Sequence, residues 1–152
     1  MHQLWKVASV YSETQLAECA ESLGKELQLG DRVLLEGPMG VGKTTFARAL
    51  LLAMGVHQPP EGSPTFAIAH EYQAPIGGMV HIDYYRMRSE IEIEEAGIPA
   101  YYWERNLLVI SEWLSSWPLF EKQVLGSGRS WKVNFLFHFN NADRIIEIKK
   151  SE

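Results

Sequence analysis

Eight residues, Gly37-Pro38-Met39-Gly40-Val41-Gly42-Lys43-Thr44, carry the spacing G-x-x-x-x-G-K-[ST]. Glycines so placed let a short loop turn its backbone N–H groups toward one point. A helix starting directly after the loop adds partial positive charge there. That chemistry holds phosphate. Lys43 has the reach to meet the β- and γ-phosphates of a nucleotide, and the Thr44 hydroxyl can ligate Mg²⁺. The context agrees. The apolar run Val33-Leu34-Leu35 precedes the loop, and Phe46, Ala49, Leu50, Ala53 and Met54 follow it at helical spacing, so the order is strand, glycine loop, helix.

Phosphoryl chemistry also calls for a carboxylate at the end of a neighbouring strand to hold the metal. Glu112 fits, because it follows the apolar run Leu107-Leu108-Val109-Ile110, and ligands of open α/β sheets gather at that edge. Asp83 is the second candidate, closing the run Met79 to Ile82; a carboxylate there could hold Mg²⁺ through water or position an attacking water. Arg86, close behind, could pair with a carboxylate or a phosphate. His81 shares a strand face with Asp83, but with no second histidine at metal-ligand spacing zinc is not expected. Ser63-Pro64-Thr65 offers hydroxyls after a Pro- and Gly-rich loop, as a nucleotide-sensing switch would, though a rigid turn reads equally well. No Asn-Lys-x-Asp or Thr-Lys-x-Asp stretch is present to read guanine, which favours ATP over GTP.

These side chains need a frame. Leu4 to Val10 reads as a strand. Ser12-Glu13-Thr14-Gln15 reads as a capping box that opens a helix with Leu16, Cys19, Ala20, Leu23 and Leu27 on one face. Arg32 to Glu36 feeds the glycine loop, and the helix after the loop should end at Gly55. Val56 to Pro64 is irregular. Thr65 to Tyr72 and Met79 to Tyr84 form an expected antiparallel hairpin about Pro75-Ile76-Gly77-Gly78. Ser89 to Glu92 opens a short acidic helix ending at Gly97. Trp131, Val133, Phe135, Phe137 and Phe139 alternate, and Asn140 to Asp143 turns the chain into Arg144–Lys149, a C-terminal hairpin. Ser127 to Ser130 reads as the least ordered interior segment.

The bulk numbers narrow the class. The 152 residues fit one domain spanning 1–152, with 46% apolar and 22% charged residues in the globular range. A net charge of −5 argues against a chain that grips nucleic acid by itself. The single cysteine, Cys19, permits no internal disulfide, which suits a reducing compartment, and its helical spacing reads as buried filler. No signal-peptide pattern or membrane-length apolar run occurs, so a cytoplasmic protein without a membrane role is expected.

Taken together the motifs resemble the TsaE (YjeE) family, the P-loop ATPases of tRNA threonylcarbamoyladenosine synthesis. The resemblance follows the family's order: Gly37 to Thr45, Ser63-Pro64-Thr65-Phe66, Glu71-Tyr72, His81-Ile82-Asp83-Tyr84-Tyr85-Arg86, the acidic stretch Glu90 to Gly97, and Glu112-Trp113. It covers about Ser12 to Trp113. Tyr84 stands where the family usually has leucine, and Ser111 where it has an aliphatic residue. The resemblance implies a P-loop NTPase-like three-layer α/β fold with a mixed, mostly parallel sheet. It implies slow ATP hydrolysis that supports repeated turnover by TsaD and TsaB, with tRNA met only through that complex. By matching position, Lys43 holds phosphates, Thr44 and Glu112 serve Mg²⁺, and Asp83 assists hydrolysis. Gly37 and Gly40, Val41, Gly42, Lys43, Thr44 and Thr45 wrap the phosphates, and Ser12 to Thr14 approach the adenine.

Two other readings use the same loop. A small-molecule kinase would employ Asp83 as base toward an acceptor hydroxyl, but needs an arginine-rich lid, and only Arg86 and Arg88 cluster. A non-catalytic, ATP-responsive binding module would only change shape over Val56 to Thr65.

Overall fold

The computed structural model describes residues 2–57, 59, 68–137 and 143–151. Its strands in chain order are β1 (Gln3–Val10), β2 (Arg32–Glu36), β3 (Ala69–Ala74), β4 (Gly77–Asp83), β5 (Leu108–Glu112), β6 (Ser130–Phe137) and β7 (Arg144–Ser151). They form one sheet in the order β1-β7-β6-β2-β5-β4-β3. The four inner strands β6, β2, β5 and β4 run parallel, and antiparallel pairs extend the sheet at both edges.

The sequence explains this arrangement. β2 and β5 are apolar without alternation because helices cover both of their faces. Helices α1 (Glu13–Gly24) and α2 (Lys43–Ala53) pack on one face, over Val33, Leu35, Ile110, Trp131, Val133 and Phe135. On the other face, α3 (Glu90–Glu95), α4 (Ile98–Trp103) and α5 (Pro118–Leu125) pack with a 3₁₀ turn, Leu114–Ser116, over Leu34, Val80, Ile82 and Val109. The result is a three-layer α/β fold with a mixed sheet. Among the described residues no helix is long and apolar enough to cross a membrane.

The capping box at α1 forms its serine half, and the one expected at α3 does not form. Ser12 Oγ accepts from Gln15 N at 3.2 Å, while Gln15 Oε1 reaches past the cap to Tyr11 N at 2.6 Å. At α3 Ser89 makes no side-chain cap bond, and Glu92 Oε2 accepts from Arg88 N, the residue before the cap, at 3.0 Å. Cys19 lies in the core, and burial pushes its thiol pKa up.

Several expectations change. The β3–β4 turn is Pro75-Ile76 alone, and Gly77 and Gly78 belong to β4. A Cβ on Gly78 would lie 2.5 Å from Leu107 Cδ2, so that glycine serves strand packing. The segment 127–130 is firmly held. Arg129 pairs with buried Asp31 at 2.6 Å and donates to Glu26 O, while Arg32 Nη1 donates to Ser127 O. Helices α4 and α5 are additions, since neither had a helical reading. Phe137, the last residue of β6, is exposed, so the inward alternation stops at Phe135. The expected hairpin does form, but β6 also pairs parallel with β2, and β7 pairs with β1, so it is built into the sheet. Residues 60–67, with Ser63-Pro64-Thr65-Phe66, and residues 138–142, with Phe139 and Asn140-Asn141, lie outside the described residues.

Candidate functional site: a cleft across the glycine loop

The carboxyl ends of β2, β4 and β5 meet at one place. β2 delivers the glycine loop, where Gly37, Gly40 and Gly42 have φ of 149°, 77° and 112°. Those values suit glycine and strain any other residue. Around the Cβ positions of Gly40 and Gly42 there is open space within 4 Å, so the loop leaves a cradle that side chains would fill. Gly37 does the opposite job, because a Cβ there would lie 2.7 Å from Phe135 O. Helix α2 then begins at Lys43 with no side-chain cap. Its first N–H groups therefore face the same cradle, an arrangement that suits an anion.

Lys43 is buried. Its ammonium donates to the Gly37 and Pro38 carbonyls, the latter at 3.1 Å, and lies 3.9 Å from the centre of the Trp113 ring. Burial lowers its pKa, opposed by the charges of Glu112, Glu36 and Asp83. Thr44 Oγ1 donates to Glu112, at 2.9 Å from Oε1 and 3.2 Å from Oε2. Glu112 is buried, and its Oε2 also lies 2.7 Å from His81 Nε2. Asp83 stands opposite Glu112 in the β4–β5 register, and its Oδ1 accepts from Tyr85 N at 3.0 Å.

Two cavities meet across the loop and share Gly40, Gly42 and Thr45. One, of about 360 Å³, is bordered by Lys43, Thr44, Asp83, Arg86, Glu112 and Trp113. Its charged and hydroxyl groups suit phosphates and a cation. The other, of about 330 Å³, has Val10, Tyr11, Leu16 and Val41 beside Ser12 and Arg144. Its apolar walls suit a planar base. Arg144 is fixed there by donating from Nε to Val41 O at 2.9 Å.

The donor set can be tested against magnesium. Among the described residues no group of three or more His, Cys, Asp or Glu side chains forms a metal cage. One hydroxyl and one carboxylate at 2.9 Å are too few to hold an ion alone. They do match the way Mg²⁺ is held, by one or two hard oxygens together with substrate phosphates.

The expected site residues are thus distributed as follows. Lys43, Thr44, Asp83 and Glu112 come together at the phosphate end, with Thr45, Gly40 and Gly42 between the two cavities. Gly37 supplies a carbonyl to Lys43. Val41 borders the base-side cavity with Ser12, whose Oγ caps α1. Thr14 is exposed and not among that cavity's lining residues, since one further step along α1 turns it away. Sequence reasoning missed three contacts. Trp113 is the one non-glycine residue with positive φ among the described residues (65°), and this turn sets its ring against Lys43 and 5.0 Å from Tyr85. The His81–Glu112 contact was hinted at only by the shared strand face of His81 and Asp83. Arg144 carried no signal, because its place depends on how β7 enters the sheet.

A family model described as "Threonylcarbamoyl adenosine biosynthesis protein TsaE" matches residues 10–139. The chain belongs to the TsaE family. Similar proteins include a tRNA threonylcarbamoyladenosine biosynthesis protein TsaE from Aquifex aeolicus, 36% identical over 108 residues, covering 68% of this chain and 80% of its own. The Rickettsia typhi relative is 33% identical over 140 residues, covering 84% of this chain and 96% of its own. The crystal structure of Bacillus subtilis YdiB superposes with a TM-score of 0.73 at 21% identity, over 98% of this chain and 86% of that one, which supports the fold. Tyr84 Oη lies 2.8 Å from Tyr102 Oη, and Ser111 Oγ donates to Val33 O at 3.4 Å.

Proposed function

We propose that this chain is a cytoplasmic, Mg²⁺-dependent ATPase that supports threonylcarbamoyl adenosine formation on tRNA in a complex with TsaD and TsaB. The observation that carries the reading is the Thr44–Glu112 pair at 2.9 Å, beside Lys43 in a cleft with a phosphate end and a base end. Membership of the TsaE family supplies the pathway.

In this reading the glycine loop and the α2 N-terminus orient the phosphates, and Lys43 exchanges its carbonyl partners for phosphate oxygens. Thr44 and Glu112 hold Mg²⁺, which supplies charge neutralisation across the phosphates when bound. Asp83, half-buried at the end of β4, orients the attacking water or accepts its proton. The base-side cavity takes adenine against Val10, Leu16 and Val41. A net charge of −5 fits a protein that meets tRNA through partners.

The test is Mg²⁺-dependent ATP hydrolysis by the purified chain, alone and with TsaD, TsaB and tRNA, with Lys43→Ala as control. Slow turnover that rises with the partners supports the proposal. Turnover indifferent to them removes the pathway role. ADP formation that instead depends on a small acceptor makes the chain a kinase.

A further inference from the structure

Glu112 is a carboxylate almost wholly buried at the edge of the cleft. Its side chain is 3% exposed, and that of His81 is 4% exposed. A buried carboxylate needs donors, and the two that Glu112 meets among the described residues are different in kind. Thr44 supplies a hydroxyl that can rotate and that itself borders the cleft. His81 supplies a ring held by β4, and it is not among the residues lining the cleft.

We infer that His81 is a positioning residue for Glu112, holding the carboxylate in the orientation that serves the divalent cation while touching neither nucleotide nor metal itself. The inference rests on the ATPase reading above. An oxygen of a carboxylate has no proton to give, so His81 Nε2 carries the hydrogen in this contact. The 2.7 Å separation is that of a charge-assisted bond. His81 stands in register with Ile110, two pairs short of the Asp83–Glu112 pair and on the same face, so its ring meets Glu112 diagonally across two neighbouring strands. Without it, Glu112 keeps, among the described residues, the Thr44 hydroxyl alone as a side-chain donor, and a rotation that turns the carboxylate to seek another donor breaks that bond too. Partners of this kind, one step behind the ligand, commonly change metal affinity by about 10–100-fold.

The experiment measures binding rather than turnover. Affinity for a non-hydrolysable ATP analogue is titrated against Mg²⁺ concentration, and Mn²⁺ binding is followed by electron paramagnetic resonance. Wild type is compared with His81→Phe, which keeps a ring and loses the donor, and His81→Gln, which keeps an amide donor. The expected result is an increase of about 10–100-fold in the Mg²⁺ concentration needed by His81→Phe. Its nucleotide affinity without metal should stay within about twofold, and His81→Gln should recover most of the loss. If His81→Phe does not fold, His81→Asn, whose amide is too short to reach Glu112, must show the same metal defect. Wild-type metal affinity in the ring or short-amide variant overturns the inference, as does a parallel loss of metal-free nucleotide affinity, which would mark a merely structural role. If wild type itself binds the analogue no better with Mg²⁺, the ATPase reading fails and takes this inference with it.

Discussion

Tyr84→Phe removes one oxygen from the middle of the protein. Tyr84 is fully enclosed and Tyr102 buried, with their hydroxyls 2.8 Å apart and Phe120 against both rings. The substitution takes from the Tyr102 hydroxyl the partner it has in the Tyr84 hydroxyl. Leaving a buried polar group short of a partner costs about 1–3 kcal/mol. For a chain of this length each kcal/mol moves Tm by about 2–4 °C, so a fall of about 2–12 °C is expected. Removing both hydroxyls should cost less than the sum of the single changes, with a coupling of about 0.5–2 kcal/mol. The assay is urea and thermal unfolding of Tyr84→Phe, Tyr102→Phe and the double variant. Strict additivity would refute the claim that the hydroxyls act as a pair. A pH arm gives a second check. Burial, first among the causes, holds both phenols above the ordinary tyrosine pKa. The folded state therefore keeps protons that the unfolded chain releases near pH 10. This contribution is fully present below about pH 10 and is lost as pH rises toward the folded values, so wild type should lose stability in that alkaline range and the double variant less of it.

Three functional expectations follow from the cleft. Lys43→Ala should reduce ATP hydrolysis by about 10²–10³-fold or more, since one preorganised donor to developing phosphate charge is gone; near-normal turnover would remove its assigned role. Asp83→Ala should lower kcat by about 10²-fold or more while changing ATP affinity little, measured by turnover and by equilibrium titration; equal losses in both would make it a ground-state ligand. Arg144→Ala should weaken ATP binding by about tenfold, read by equilibrium titration, because the base-side cavity loses a wall and Val41 O loses its donor; unchanged affinity would place the base elsewhere.

The sequence reveals the phosphate end of the cleft far better than the base end, and the reason is local. Gly37 to Thr44 builds its geometry within a few residues, through positive φ at three glycines. Glu112 and Asp83 each close an apolar run, and parallel pairing brings such ends side by side. By contrast, Arg144 reaches Val41 only because β7 folds back on β6 and β6 inserts beside β2, a choice made by packing across more than 100 residues. The same holds for Arg129, whose pairing with Asp31 fixes a segment that reads as a loose linker. Helix α4 hides because Ile98–Trp103 is short and aromatic, and its helical state depends on burying Ile98 and Tyr102 against the sheet.

Core and cleft are joined through that C-terminal hairpin. Trp131, Val133 and Phe135 fill one face of the sheet beneath α2, and Phe135 O lies where a Cβ on Gly37 would clash. Phe46 of α2 meets Phe135 edge to face at 5.4 Å. The strand that packs the core therefore also supports the glycine loop from behind, and its partner β7 supplies Arg144 at the front. A change at Phe135 that lets β6 shift would move the loop and the base-side wall together. Phe135→Leu is accordingly expected to weaken nucleotide binding as well as stability, while a core change such as Ile98→Val, on the opposite face, should lower stability by about 0.5–1.5 kcal/mol and leave nucleotide affinity alone. Equal effects of the two on affinity would show that the loop responds to global stability and not to its own support.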